Sequence, residues 1–112
     1  MPNLLPYRNI DLDETGVLVR GTWANVRGWY LFNNASSVRY VKFYDKATAP
    51  VVGTDTPRLT LPLPSGAAAN VNLGDYGIEF TTGLGMGATT GVADSSTGAP
   101  SANDVVVNIL YE

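Results

Sequence analysis

Twelve glycines and seven prolines are spread along 112 residues, and this punctuation limits the chain more than any other feature. No stretch between the breakers carries the apolar spacing of an amphipathic helix. The best helical candidate, Ser65 to Leu73 through Ala67-Ala68-Ala69, is short, follows the turn signal Ser65-Gly66 and closes at Gly74. Strand signals are clearer. Arg58 to Leu63 alternates, so Leu59, Leu61 and Leu63 share a face. Pro62 within it cannot donate to a ladder, which makes this an edge strand or turns the missing N–H away from a partner.

Further strands are expected at Val17–Trp23, Gly28–Phe32, Val38–Tyr44, Val51–Val52, Ala68–Leu73, Ile78–Thr82 with a glycine-rich continuation over Gly83–Thr90, and Val105–Tyr111. The near-continuous apolar run of the last suits a well-covered position. Asn33-Asn34-Ala35-Ser36-Ser37 suits a short hairpin loop between two aromatic strands. Seven or eight short strands at intervals of about ten residues give an all-β expectation: a single antiparallel β-sandwich of jelly-roll type. At 112 residues the chain is one domain, with about two-thirds of its surface available for burial. Residues 16–112 are assigned to the sandwich. Residues 1–15, with Pro2, Pro6, Asp11, Asp13 and Glu14, are assigned to an extended arm, poor in strand signal and ordered only if something pins it.

Composition then narrows the chemistry. With no cysteine and no histidine there is no disulfide framework, no thiolate nucleophile, no zinc ribbon and no Ser-His-Asp or Cys-His arrangement. A net charge of −3 with 15% charged residues argues against a basic nucleic-acid face. The start Met1-Pro2-Asn3-Leu4-Leu5-Pro6 has neither the basic residues nor the apolar run of a leader, so the chain is expected to begin at its own initiator. No apolar stretch reaches the ~20 residues that cross a bilayer.

Five patterns invite a sharper reading, and each fits a plainer one better. Asp11, Asp13, Glu14 and Gly16 lack the remaining ligands of a calcium loop. Gly83, Gly85, Gly87 and Gly91 are followed by no Lys or Arg, so close backbone approach explains them better than a phosphate loop. The ten carboxylates show no paired spacing of the glycosidase kind, and no enzymatic activity or cofactor is expected. Asn34-Ala35-Ser36 reads as a turn rather than a glycosylation acceptor. Trp23, Trp29, Tyr30, Phe32, Tyr40, Phe43 and Tyr44 are expected to supply core plus a protein interface, because both faces of the Val38–Tyr44 strand carry aromatics and the second face needs a cover.

Gly28-Trp29-Tyr30-Leu31-Phe32-Asn33-Asn34, Val38 through Pro50, Gly53-Thr54-Asp55-Thr56-Pro57, the Gly83–Gly91 segment, Ala93-Asp94-Ser95 and Asn103 through Asn108 together resemble small structural proteins of tailed bacteriophages and prophages. The likeness covers roughly Gly21 to Tyr111 and leaves out the N-terminal segment. The resemblance implies a capsid decoration, or cement, protein of jelly-roll or related fold. Such a protein would bind the outer surface of the virion, with the major capsid protein and neighbouring copies of itself as partners. It also implies a homo-oligomer, a trimer ahead of a dimer, and neither nucleic acid nor membrane as a partner.

A tail, baseplate or head-fibre component that binds a host-surface carbohydrate is the alternative; it expects Trp23 or Trp29 to be exposed. Contacts are expected in the segment Pro2 to Glu14, the Asn33–Ser37 turn and the Val92–Asn103 loop. The named candidates are Pro2, Leu4, Leu5, Tyr7, Asp11, Asp13, Asn33, Asn34, Asp94 and Asn103.

Overall fold

The computed structural model describes residues 3–112; Pro2, a candidate contact, lies outside the described residues. The described residues form nine strands: β1 (Leu5–Asn9), β2 (Val17–Arg20), β3 (Ala24–Asn33), β4 (Arg39–Asp45), β5 (Leu59–Leu63), β6 (Ala68–Asn72), β7 (Ile78–Phe80), β8 (Leu84–Thr89) and β9 (Val105–Tyr111). One sheet has the order β1-β9-β3-β6, with β7 also paired to β3 beyond β6; the other has the order β2-β8-β4-β5. All pairings are antiparallel.

The pairs nest by sequence, β1 with β9, β2 with β8, β3 with β6 and β7, and β4 with β5. Rolling up that long hairpin adds the contacts β9·β3 and β8·β4. This nested, rolled pairing is jelly-roll connectivity. Residues Ser65 to Leu73 thus hold an edge strand rather than a helix.

The inward positions of both sheets meet in one core: Val26, Trp29 and Leu31 from β3, Val41 and Phe43 from β4, Leu84 and Met86 from β8, and Val105, Val107 and Ile109 from β9. Trp29 and Phe43 join the two sheets at 5.5 Å between ring centroids, and Phe80 of β7 continues the stack at 6.3 Å. The chain exposes 5531 Å², close to the about 6,000 Å² of a monomer this size, so the core closes without a partner.

Three sequence expectations meet a different arrangement. The Asn33–Ser37 segment is not a hairpin loop; β3 and β4 lie in different sheets, and the segment arches from one to the other. The buried Asn33 side chain makes that corner. Its amide donates to Leu63 O at 2.8 Å and Ser37 O at 3.0 Å, and its carbonyl accepts from Ala35 N at 2.8 Å.

Val51-Val52 is a turn rather than a strand, with the amides of Thr54 and Asp55 both donating to Val51 O. The segment expected as an arm contains β1, which pairs with β9 over all five of its residues. Leu12 is buried in the core and its amide donates to Val105 O. Pairing with the apolar β9 is what pins this segment, and local strand propensity could not announce it.

Candidate protein interface

The aromatic strand β4 is buried on both faces, and the cover of its second face comes from the chain itself. Lys42 is fully buried and its Nζ donates to Ala93 O at 2.7 Å, which ties the loop after β8 onto the sheet. The preceding loop lies there too, with Pro50 and Val52 over β8. A Cβ on Gly85 would sit 2.7 Å from Pro50 Cδ, and one on Gly87 would sit 2.7 Å from Val52 Cγ2. Glycine at alternate outward positions of β8 is what lets the loop lie flat, which gives the glycine-rich run its physical reason.

Under this cover, burial pushes the Lys42 ammonium below its usual pKa, against the opposing pull of Asp94. Burial, with the charges of Asp55 and Asp94, pushes the Tyr44 phenol up to about 12. Its hydroxyl meets no hydrogen-bond partner among the described residues. The expected partner-covered aromatic face is therefore an internal one.

The open face is the outside of the other sheet. Because successive residues of a strand alternate sides, the registers place three rows across it. Pro6, Leu110, Gly28 and Asn72 form the first, and Arg8, Asn108, Tyr30 and Asn70 the second. Val106, Phe32 and Ala68 form the third. Leu110 leans over Gly28, its Cδ1 3.8 Å from where a Cβ would stand. Tyr30 and Phe32 remain 42% and 38% exposed. Arg8 is the single charged residue in these rows; Leu110, Tyr30, Phe32 and Val106 supply the apolar surface on the two central strands, with Asn108 among them.

The sequence-based candidates do not gather on this face. Asp11, Asn34 and Asn103 meet at one end of the sandwich: Asp11 Oδ1 accepts from Asn103 N at 2.9 Å, and Asn34 Nδ2 donates to Asn103 O at 3.2 Å. Asn103 itself takes a positive φ of 62° there. Leu4 and Leu5 are exposed at the opposite end, where β1 begins beside Tyr111. Tyr7 faces inward and packs on the core. Asn33 is buried and spent on the corner.

Asp13 holds the approach to β2 by accepting from Thr15 N and, through its backbone carbonyl, from Ala88 N. Asp94 is exposed beside the covered face. Tyr30 and Phe32, read in sequence among the aromatics for core and interface, lie on this surface with Val106 and Leu110, which the sequence reading did not single out. The usable signal was their alternation with Val105, Val107, Ile109, Trp29 and Leu31.

Of the two indoles, Trp29 is buried and Trp23 is 44% exposed, its Nε1 donating to Glu79 Oε2 at 2.6 Å. Among the described residues the surface has no pocket, and no helix is long and apolar enough to cross a membrane. A scan against protein-family models, a search of curated proteins and a search of solved structures each find no match.

Proposed function

We propose that the chain is a virion structural protein that binds the outer surface of a bacteriophage capsid and stabilises it, docking through the outside of the β1-β9-β3-β6 sheet. The observation that carries this reading is the exposed pair Tyr30 and Phe32, flanked by the half-buried Val106 and Leu110, on a sheet face with one charged residue in its rows. Exposed apolar patches on small β-domains mark interaction surfaces, and aromatics concentrate binding energy at the centre of such patches.

The broad side of the molecule measures 41 × 27 Å, on the order of 1,000 Å², against about 800 Å² per partner in a standard interface. The occupant is the major capsid protein, the partner implied by the phage resemblance. A face with one charge suits a partner surface that contributes apolar groups and backbone amides rather than a charged groove. Repetition on a lattice multiplies a modest single contact.

The test is co-sedimentation with undecorated capsids. Tyr30→Lys and Phe32→Lys should each weaken capsid binding about 30-fold, the cost of one interface hot spot, with the fold retained as read by circular dichroism. Full retention of binding by both variants overturns the assignment of this face.

The exposure of Trp23 favours a second reading, a tail or head-fibre component that binds a host-surface carbohydrate. A Trp23 fluorescence shift on addition of host polysaccharide would support it.

A further inference from the structure

Each sheet has two edges, and the four are not treated alike. Where a backbone hydrogen bond fixes which residues of a strand face its neighbour, alternation gives the rest. Asn34 N donates to Asp104 O at 2.7 Å, so even-numbered residues of β9 face β3 and odd-numbered ones face β1. Leu5, Tyr7 and Asn9 then face β9, and Pro6 faces outward. Lys46 N donates to Gly83 O, so even-numbered residues of β4 face β8. Leu59, Leu61 and Leu63 face β4, and Pro62 faces outward.

Two edges thus carry a proline where a neighbouring strand would need an N–H. The third, β2, is broken by a bulge between Leu18 and Arg20. Prolines and bulges are the devices that keep an edge from pairing.

The fourth edge has neither device. Ala67 O accepts from Asn33 N at 3.1 Å and Leu73 N donates to Arg27 O at 2.8 Å, so the odd-numbered residues of β6 face β3. The amides and carbonyls of Ala68, Asn70 and Asn72 point off the sheet, and all three residues are exposed. The strand has no charge and no proline along Ala68–Asn72.

We infer that β6 is the dimerisation edge of this protein, pairing antiparallel with β6 of a second copy about a two-fold axis at Asn70. A second copy is the partner the edge fits. An uncharged strand meets itself without like-charge repulsion, and its three outward positions are symmetric about Asn70. Asn70 pairs with Asn70 and Ala68 with Asn72 of the other copy, so every outward amide and carbonyl finds its complement. The pairing joins two four-stranded paths into one eight-stranded sheet and makes the Tyr30–Phe32 faces of both copies continuous. It is independent of what that face binds. The edge is short, so dimerisation falls in the high micromolar range and tightens when copies are held side by side.

Sedimentation equilibrium of the purified chain, without capsids, tests this. Asn70→Pro copies at β6 the device present at Pro6 and Pro62, leaving the odd-numbered bonds to β3 intact. Asn70→Lys places like charges across the axis. The average mass of the wild type should rise above the 11.9 kDa of one chain through the high micromolar range and move toward twice that value at millimolar concentration. Asn70→Pro should dimerise about 30-fold more weakly, from the two hydrogen bonds lost at the central pair, and Asn70→Lys should also dimerise more weakly, through like-charge repulsion across the axis.

Hydrogen exchange of the wild type supplies a readout that needs no variant: the amides of Ala68, Asn70 and Asn72 should gain protection as concentration rises. A wild type that stays monomeric throughout, dimers undiminished in both variants, or unprotected amides at these three positions would overturn the proposal. So would protection that arises only on addition of capsid protein, which would assign the edge to that partner.

Discussion

Replacing Asn33 with alanine should destabilise the sandwich severely, although the residue lies in a polar segment that reads as a surface turn. Its amide reaches Leu63 O and Ser37 O, and its carbonyl holds Ala35 N, all at 3.0 Å or less. The side chain is fully buried. Alanine removes these partners together. The Ala35 amide loses its acceptor, and a buried unpaired group costs about 1–3 kcal/mol. Loss of the bonds that hold β5 against the corner adds about 1 kcal/mol.

The total, about 2–4 kcal/mol, lowers the melting temperature by roughly 10–15 °C in a domain of this size. Differential scanning calorimetry measures it directly. Asn33→Asp is the sharper variant. It keeps the acceptor for Ala35 N but sets a carboxylate against the carbonyls of Ser37 and Leu63. It should be worse than alanine at pH 7 and recover in acid as the carboxyl protonates. A melting temperature within about 3 °C of wild type for Asn33→Ala would refute the corner as a structural joint.

Gly87→Ala should lift the Val52 turn from the outer face of β8, because its Cβ would meet Val52 Cγ2 at 2.7 Å. The expected cost is about 1–3 kcal/mol, and ultraviolet pH titration should show the Tyr44 phenol falling back from about 12. Asp45→Asn tests a carboxylate held below its usual pKa. Burial raises that pKa, but the amides of Thr82, Gly83 and Thr81 and the Thr81 hydroxyl outweigh it. A carboxyl depressed in the folded state stabilises above its unfolded value near 3.9, and that contribution is lost as pH falls through the folded value.

Urea unfolding should therefore show wild-type stability declining below about pH 4. The decline should be shallower in Asp45→Asn, with Asp55, lowered by its hydrogen bond from Lys46, supplying part of what remains. Deletion of residues 1–15 should unfold the domain rather than release a tail, since it removes β1 and Leu12; circular dichroism would show loss of the β-signal.

The jelly roll was legible because its signals are local. Alternation at Leu59, Leu61 and Leu63 and the apolar run of β9 marked strands, and Pro62 marked β5 as the edge it is. What stayed hidden depends on contacts distant in sequence. β1 has little strand signal of its own and exists because β9 lies beside it.

Asn33 looked like a turn residue because its type favours turns. Only the path of β5 past its amide makes it a buried joint. The cover on β4 could not be assigned to the chain itself without knowing that Ala93 returns to Lys42. The open face was not separated from the core in sequence, because the apolar run of β9 reads as covered on both sides and Tyr30 and Phe32 sit among the aromatics with Trp29; which face a loop covers depends on contacts distant in sequence.

Cryo-electron microscopy of purified virions that carry this chain tests the proposed capsid role most directly. The expected result is density for this sandwich on the outside of the head shell, with Tyr30, Phe32, Val106 and Leu110 against the capsid protein and the Pro50–Val52 loop away from it. Density confined to the tail, no density at all, or a sandwich seated on its loop-covered face would contradict it.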